Sequence, residues 1–313
     1  MTNLQKQITN FLEYLEIEKG RSEATLKNYD FYLRRFSQWA KNPDPDKITS
    51  DIVHKYRLWL NRYENKKTKQ QLSAKTQNYH LIALRSFLKY LARQDVQSLA
   101  PEKIELAKQD MREVDFLDAD DLQRLLAAPV KSDSRGIIKL RDKAILELLF
   151  STGLRVSELT KLNRENVNLK KDEFTVRGKG GKLRIVFLSE TAKQAIKNYL
   201  DKRQDPEPAL FIAHDRAQGA QARTEQSEAN LTPRSIQRIV EKYSRAAGIT
   251  KEITPHTLRH TFATDLLSNG ADIRAVQTML GHENITTTQI YTHVTNRQLK
   301  DVHKAFHDKA RKH

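Results

Sequence analysis

Four side chains that can take part in phosphoryl transfer lie close together near the end of the chain. They are His256, Arg259, His282 and Tyr291. A guanidinium group matches the geometry of a phosphate, an imidazole exchanges a proton near neutral pH, and a phenol becomes a nucleophile once it loses its proton. Such a set suits phosphoryl transfer with the tyrosine as the nucleophile.

Two of these side chains fall in the first turn of a predicted helix. Thr254 is a favourable N-cap residue, and Pro255 suits the first helical position, where its missing N–H costs nothing. His256 and Arg259 are three residues apart, so they share one face of that turn. A helix N-terminus offers free N–H groups and a positive partial charge, and this face is therefore suited to bind a phosphate.

The other two side chains follow a second predicted helix. Asp272 caps its N-terminus and Gly281 ends it, which places His282 just past the helix C-terminus. Tyr291 comes on a short helical segment after three consecutive threonines. The spacing predicts that distant stretches of the chain bring guanidinium, imidazole and phenol groups to one cleft.

Four motifs resemble those of a known family. H-T-L-R ends at Arg259, L-G-H ends at His282, T-T-Q-I-Y-T-H contains Tyr291, and S-T-G-L-R-V-S-E-L contains Arg155 far upstream. Together they resemble the tyrosine recombinase (phage integrase) family, and in particular its Xer-like members, over nearly the whole chain. In isolation, Arg155 and Glu158 would be no more than a surface pair on a short helix. The later motifs, in the expected order, favour a functional role instead.

The resemblance implies a site-specific DNA recombinase that cleaves and rejoins strands through a 3′-phosphotyrosyl intermediate and exchanges them via a Holliday junction. Tyr291 would attack, His256 would accept its proton, and His282 would donate a hydrogen bond to the phosphate. No cofactor and no metal are expected, because arginines would stabilise the developing charge. The implied catalytic residues are Arg155, Lys179, His256, Arg259, His282 and Tyr291, with Glu158 as an accessory residue.

The lysine lies in a predicted β-hairpin. Residues 172–188 contain two short β-type runs, E-F-T-V-R and L-R-I-V-F-L, joined by the glycine-rich turn G-K-G-G-K. Lys179 matches the position of the family's catalytic lysine, which would protonate the leaving 5′-oxygen, and Lys182 is the alternative. A lysine in such a turn is otherwise simply exposed, so its role depends on the resemblance. Glu158 would orient the cleft.

Apolar periodicity predicts a mainly α protein of two domains. Residues 1–100 are predicted to form an N-terminal helical domain, which corresponds to the family's core-binding (SAM-like) domain. A charged stretch over 101–116 is predicted to be an interdomain linker, with a surface helix as the alternative. Residues 117–313 would form a mostly α catalytic domain with one small β-hairpin, ending in an amphipathic helix at 296–310. In the family this last helix docks on a neighbouring subunit; docking on its own domain is the alternative.

The charge predicts a polyanionic partner. The net charge is +16, and 21 Lys and Arg oppose 13 Asp and Glu up to residue 112, while 34 oppose 26 beyond it. We expect double-stranded DNA with a specific core site, bound by a tetramer of the chain, with a second recombinase or an accessory protein left open. Any single lysine is equally well explained by a solvated face. The side chains predicted to contact DNA are Lys67, Lys69, Lys75, Asn78, Arg85, Lys89, Arg234 and Arg238.

Composition limits the remaining classes. The chain has no cysteine, which excludes disulfides and thiolate metal sites and is compatible with the cytoplasm. It has no apolar run long enough for a membrane span. Two other functions stay open: a type IB topoisomerase, which uses the same residue set without strand exchange, and a DNA-binding regulator with a disused site. The sequence does not distinguish dimer resolution from integration or inversion, and it assigns no role to the polar insert 215–230.

Overall fold

The computed structural model describes residues 2–65, 69–108, 115–214 and 230–291, with only the backbone of Lys179. Within these ranges the regular secondary structure consists of helices and one pair of antiparallel strands. The chain divides into two compact units, Met1–Arg112 and Glu113–His313. The predicted fold class, mainly α with a small β-hairpin, is confirmed. None of the helices in the described ranges combines the length and the apolar character of a membrane span.

Four α-helices make up most of the described part of the first unit. They are α1 (Asn3–Ile17), α2 (Glu23–Trp39), α3 (Ser50–Arg62) and α4 (Ala74–Arg93). Each begins where a Ser or Thr hydroxyl accepts a hydrogen bond from a free N–H group of the first turn. α4 contacts the other three helices and buries its apolar side, so it is the central element of this unit.

The residues after α4 stay with the first unit. Ile104 is buried in its core, and the side-chain amide of Asn78 exchanges two hydrogen bonds with the backbone of Ala107. The prediction that Asn78 is an exposed DNA contact is therefore wrong, because this side chain is buried and fastens a later segment to α4. On the other side, Leu117 belongs to the core of the second unit. The first residues of the predicted linker over 101–116 thus pack on the first unit, whereas Asp115 and Phe116 at its other end are exposed, and residues 109–114 lie outside the described ranges.

Eight helices in the described ranges belong to the second unit. They are α5 (Ala119–Lys131), α6 (Gly136–Thr152), α7 (Val156–Leu159), α8 (Glu190–Leu200), α9 (Pro233–Ala246), α10 (Pro255–Ser268), α11 (Ile273–Leu280) and α12 (Thr286–Gln289). α6 is apolar around most of its circumference and contacts α5, α8, α9 and α10. This central helix ends beside α10 and α11, where the candidate catalytic residues are found.

One hairpin completes the second unit. β1 (Glu173–Arg177) and β2 (Leu183–Phe187) pair antiparallel, and a short 3-10 turn containing Lys179 joins them. The alternation of the strands buries Val176 and Val186 in the core. Because β2 also contacts α6 and α11, the hairpin lies against the end of α11.

Candidate active site

A glycine at the end of α6 allows Arg155 to reach the site. Gly153 is in the left-handed conformation with φ 58°, and a Cβ there would lie 2.5 Å from the Phe262 ring. The chain can therefore turn sharply, and Arg155 becomes the N-cap residue of α7. Its guanidinium group donates to Glu158 Oε1 at 2.8 Å and to the carbonyl oxygen of Gly281 at 3.2 Å.

Arg259 reaches the same helix end from α10. It is buried, and its two terminal nitrogens donate to the carbonyl oxygens of Gly153 and Leu280. Leu280 and Gly281 are consecutive, so the two arginines meet at the C-terminus of α11. Burial, and then the charges of Arg155 and Arg184, lower the pKa of Arg259 to about 9, which leaves it charged at neutral pH.

One carboxylate faces these arginines. Glu158 accepts a hydrogen bond from the backbone N–H of Arg155 at 2.8 Å and two from the guanidinium group of Arg184, at 2.8 and 2.7 Å. Burial opposes its charge, but the bonds from Arg184 and Arg155 outweigh that effect and hold the pKa of Glu158 at about 2. Three guanidinium groups, including Arg259, thus surround a single ionised Glu158. The surplus of positive charge suits an anion.

Arg184 is a site residue that the sequence analysis missed. It lies on β2, on the same side of the strand as buried Val186. A charged residue on the inward side of a predicted strand is the signal that could have identified it.

His282 lies just past α11, as predicted. Its Nδ1 is hydrogen-bonded to Thr288 Oγ1 at 3.0 Å. Burial, and then the charges of Arg259 and Arg155, lower the pKa of His282 to about 4. The imidazole is therefore neutral at physiological pH and can offer a phosphate a hydrogen bond rather than a charge.

Tyr291 is hydrogen-bonded to an imidazole that the motifs did not identify. Its hydroxyl lies 2.5 Å from Nδ1 of His260, and the side chain is only 2% exposed. Burial raises the pKa of Tyr291 to about 12. Burial also lowers the pKa of His260 to about 4, and the nearby His256 adds to this effect. At neutral pH both groups are therefore uncharged, and the tautomer of His260 decides which of the two donates the hydrogen bond. His260 follows His256 by four residues on α10, and this spacing was the available signal.

His256 is exposed on the first turn of α10. Partial burial, and then the charges of Arg259 and Arg155, lower its pKa. It is thus a neutral base near the two arginines, while the phenol contacts the next imidazole along the same helix.

A cavity of about 450 Å³ lies between the hairpin and the end of α11. The side chain of Lys179 lies outside the described part of the structure, and the alternative, Lys182, is exposed and pairs with Glu283 at 2.9 Å. The cavity is lined among others by Arg155, Gly178, Lys182, Arg184, Gly281 and His282. A phosphate placed here would meet donors from α7, β2 and the turn after α11.

The predicted DNA contacts that the structure describes, other than Asn78, are exposed cations. They are Lys69, Lys75, Arg85 and Lys89 in the first unit and Arg234 and Arg238 in the second. Those on α4 lie along one side of the helix, which also exposes Tyr79 and Ile82. Arg234 and Arg238 lie one turn apart on α9. Lys67 lies outside the described residues.

Comparison with known proteins identifies the family. The model of the phage integrase family matches residues 115–298, and that of the phage integrase N-terminal SAM-like domain matches residues 8–95. The tyrosine recombinase XerD of Oceanobacillus iheyensis is 38% identical over 98% of this chain and 100% of its own length. The tyrosine recombinase XerC of Thermodesulfovibrio yellowstonii is 39% identical over 98% of both chains.

Two solved structures have the same fold. The crystal structure of XerA recombinase is 31% identical with a TM-score of 0.51, covering 96% of this chain and 98% of that one. The crystal structure of XerH site-specific recombinase bound to palindromic difH substrate, a post-cleavage complex, is 21% identical with a TM-score of 0.70. The match covers 96% of this chain and 84% of that one. The four motifs, the converging arginines and these matches lead to one conclusion: the chain belongs to the phage integrase family of tyrosine-type site-specific DNA recombinases.

Proposed function

We propose that this recombinase cleaves a DNA strand with Tyr291, holds the end as a 3′-phosphotyrosine and rejoins it to a partner strand. One observation carries the assignment of the site. Arg155 and Arg259, from different helices, bind the carbonyl groups of consecutive residues at the end of α11, next to His282. Elements far apart in the sequence therefore meet at one place, which we propose as the anion-binding position.

A scissile phosphate supplies the negative charge that this position lacks. A guanidinium group has five N–H donors, more than the backbone bonds of Arg155 and Arg259 use. The remaining donors would bind the non-bridging oxygens, and neutral His282 would add a hydrogen bond. Removal of one such fixed donor costs roughly 10²–10³ in rate.

The reaction conserves the energy of the phosphodiester bond. The Tyr291 oxygen bonds to phosphorus while the bond from phosphorus to the 5′-oxygen breaks. His256 accepts the phenol proton, and Lys179, with Lys182 as the alternative, gives a proton to the leaving oxygen. In rejoining, the 5′-hydroxyl of the partner strand attacks the phosphotyrosine and these proton transfers reverse. No nucleotide is consumed.

In the free protein the Tyr291 hydroxyl is occupied by a hydrogen bond to His260. The Tyr291 ring belongs to a small apolar cluster, where burial disfavours the phenolate more than the charge of Arg259 favours it. Cleavage therefore requires Tyr291 to leave His260. Close to Arg155 and Arg259 its pKa would fall, because nearby positive charges favour the phenolate.

The active form would be a tetramer on double-stranded DNA, acting in the cytoplasm. A mostly apolar cavity of about 580 Å³ in the second unit is lined among others by Phe150, Phe187 and Phe262. Residues 296–310 carry apolar side chains at helical spacing but lie outside the described part of the chain. The cavity has the size and chemistry to receive a few apolar side chains of this segment from a neighbouring copy. The exposed cations of α4 and α9 would hold the DNA backbone.

The biological role would be Xer-like dimer resolution or integration and excision of a mobile element. The relatives named XerD and XerC favour the first. A second recombinase or an accessory protein would fit either role.

A nicked suicide substrate tests the assignment of the nucleophile. Wild-type protein should form a covalent adduct on a denaturing gel, and Tyr291→Phe should bind DNA without forming it. Tyr243→Phe is the matched control, because it also removes a buried, hydrogen-bonded hydroxyl from the second unit, and it should still form the adduct. An adduct that persists in Tyr291→Phe would remove Tyr291 from this role.

Strand exchange separates recombination from topoisomerase activity. On one purified sample, resolution of a synthetic four-way junction is expected. Relaxation of supercoiled DNA without junction resolution would instead favour the topoisomerase.

A further inference from the structure

We propose that Arg184 is a positioning residue for strand cleavage: it fixes Arg155 through Glu158 and ties the β-hairpin to the end of α11. This inference rests on the cleavage reaction proposed above and deepens it. Arg184 lies outside the four motifs on which the catalytic residues were assigned.

All three guanidinium nitrogens of Arg184 are used within the protein. Nη1 and Nη2 donate to the two oxygens of Glu158 at 2.8 and 2.7 Å, and Nε donates to the carbonyl oxygen of Met279 at 3.1 Å. The side chain is 9% exposed. A parallel, two-bond contact of this kind fixes orientation as well as distance. Three of the five N–H donors of Arg184 are therefore committed to holding Glu158 and the end of α11 in place.

Two glycines pack against the Arg184 side chain. A Cβ at Gly281 would lie 2.9 Å from Cδ of Arg184, and a Cβ at Gly178 would lie 3.3 Å from Nη1. Gly178 directly precedes Lys179, and Gly281 directly precedes His282. The guanidinium group thus fills the space between the turn that carries the proposed acid and the turn that carries a phosphate donor.

Glu158 passes the effect of Arg184 on to Arg155. The carboxylate is shared: each of its oxygens accepts one bond from Arg184, and Arg155 donates from Nη1 and from its backbone N–H. Without Arg184, this buried carboxylate would have Arg155 as its nearest cation. It would then compete with the DNA phosphate for the N–H groups of Arg155. A displacement of about 1 Å at a reacting group can cost roughly 10²-fold in rate.

The test measures single-turnover cleavage of the nicked suicide substrate by the full chain. Arg184→Met should slow cleavage roughly 10²-fold while its affinity for the same DNA stays within about twofold, because the Arg184 side chain is 9% exposed and three of its N–H groups are bound within the protein. Arg184→Lys should not restore the rate, since one ammonium group cannot make the paired contact. Arg124→Met, which removes an exposed arginine paired with Asp121, should cleave at the wild-type rate.

A double variant separates positioning from general loss of stability. If Arg184 acts through Glu158, then Glu158→Gln with Arg184→Met should be about as slow as the slower single variant. If the two substitutions acted independently, the factors by which each slows cleavage would multiply in the double variant, and that result would overturn the proposal. Wild-type cleavage by Arg184→Met would also overturn it. If circular dichroism shows that Arg184→Met is unfolded, Arg184→Lys decides, because it keeps the stem and the charge; cleavage at the wild-type rate by that variant rejects the proposal. Failure of the wild-type protein to form any adduct would reject the cleavage reaction itself.

Discussion

Replacement of Glu158 by glutamine keeps the shape of the side chain and removes the charge that Arg155 and Arg184 share. Hydrogen bonds from these arginines, acting against burial, take the pKa of Glu158 from 4.5 to about 2. A shift of this size corresponds to about 3 kcal/mol of folding free energy at neutral pH. This value agrees with the cost of about 3–5 kcal/mol that is typical for the loss of one partner from a buried ion pair. We therefore expect Glu158→Gln to lower the free energy of unfolding of the second unit by about 3 kcal/mol.

The two units can be followed separately in one urea titration. Both tryptophans, Trp39 and Trp59, lie in the first unit, so tryptophan fluorescence reports on that unit, while circular dichroism reports on both. Glu158→Gln should move the dichroism transition to lower urea and leave the fluorescence transition unchanged. The control is Glu241→Gln, which removes an exposed pair with Arg245 and should cost less than about 1 kcal/mol.

The stability difference should also depend on pH with a defined sign. Because the folded pKa of Glu158 lies below its ordinary value, its ionised form stabilises the fold fully above about pH 5, and this contribution is lost as the pH falls from 4.5 through 2. The difference between wild type and Glu158→Gln should shrink from about 3 kcal/mol at pH 7 to about 1.5 kcal/mol at pH 3. A difference that stays constant over this range, or equals that of Glu241→Gln at pH 7, would refute the reasoning.

Three further predictions follow from the same geometry. His260→Phe removes the hydrogen-bond partner of the Tyr291 hydroxyl, which costs about 1–3 kcal/mol and should make Tyr291 reactive to tetranitromethane in the free protein. Mass spectrometry that shows Tyr291 equally protected in both proteins would contradict the contact. Inorganic phosphate should raise the melting temperature of the second unit relative to chloride at equal ionic strength, without changing the tryptophan signal of the first unit. The corresponding gain in folding free energy is up to about 2.7 kcal/mol when phosphate is in hundredfold excess over its dissociation constant. An unchanged melting temperature would speak against an anion site. Phe187→Asp places a charge in the apolar cavity, so synaptic complexes on native gels should be lost while single copies still bind DNA, whereas the exposed control Val130→Asp should retain them.

Local signals in the sequence suffice for α10 and α11, but not for Tyr291. Tyr291 was predicted on a short helix after three threonines, whereas these threonines themselves form α12 and Tyr291 lies past its end. Thr254 and Asp272 cap α10 and α11, and Gly281 ends α11 in the left-handed conformation, all as predicted. Capping and glycine preferences act within a few residues, which explains why they can be inferred without tertiary structure. The position of His282 just past a helix end follows directly from them.

The sequence could not identify the distant hydrogen-bond partners of buried polar side chains. Asn78 looks like a solvated polar residue on α4 until Ala107, 29 residues later, is seen to bind both ends of its amide. The carboxylate that Arg184 binds lies 26 residues upstream on another element. In both cases a polar side chain is buried because distant parts of the chain satisfy its hydrogen bonds, and one-dimensional periodicity carries no record of that partner.

We expect the burial of Tyr291 to couple cleavage to the proposed assembly. A phenol with a pKa of about 12 is ionised to roughly one part in 10⁵ at pH 7, and its hydroxyl is hydrogen-bonded to half-buried His260 rather than to exposed His256. The charges of Arg155 and Arg259 can lower that pKa strongly only if the phenolic oxygen approaches them, and approach requires Tyr291 to leave its apolar cluster. The residues directly after Tyr291 lead to the segment proposed to dock on a neighbouring copy. Docking would therefore pull on the tyrosine itself, and a single copy bound to DNA should occupy its site without cleaving it.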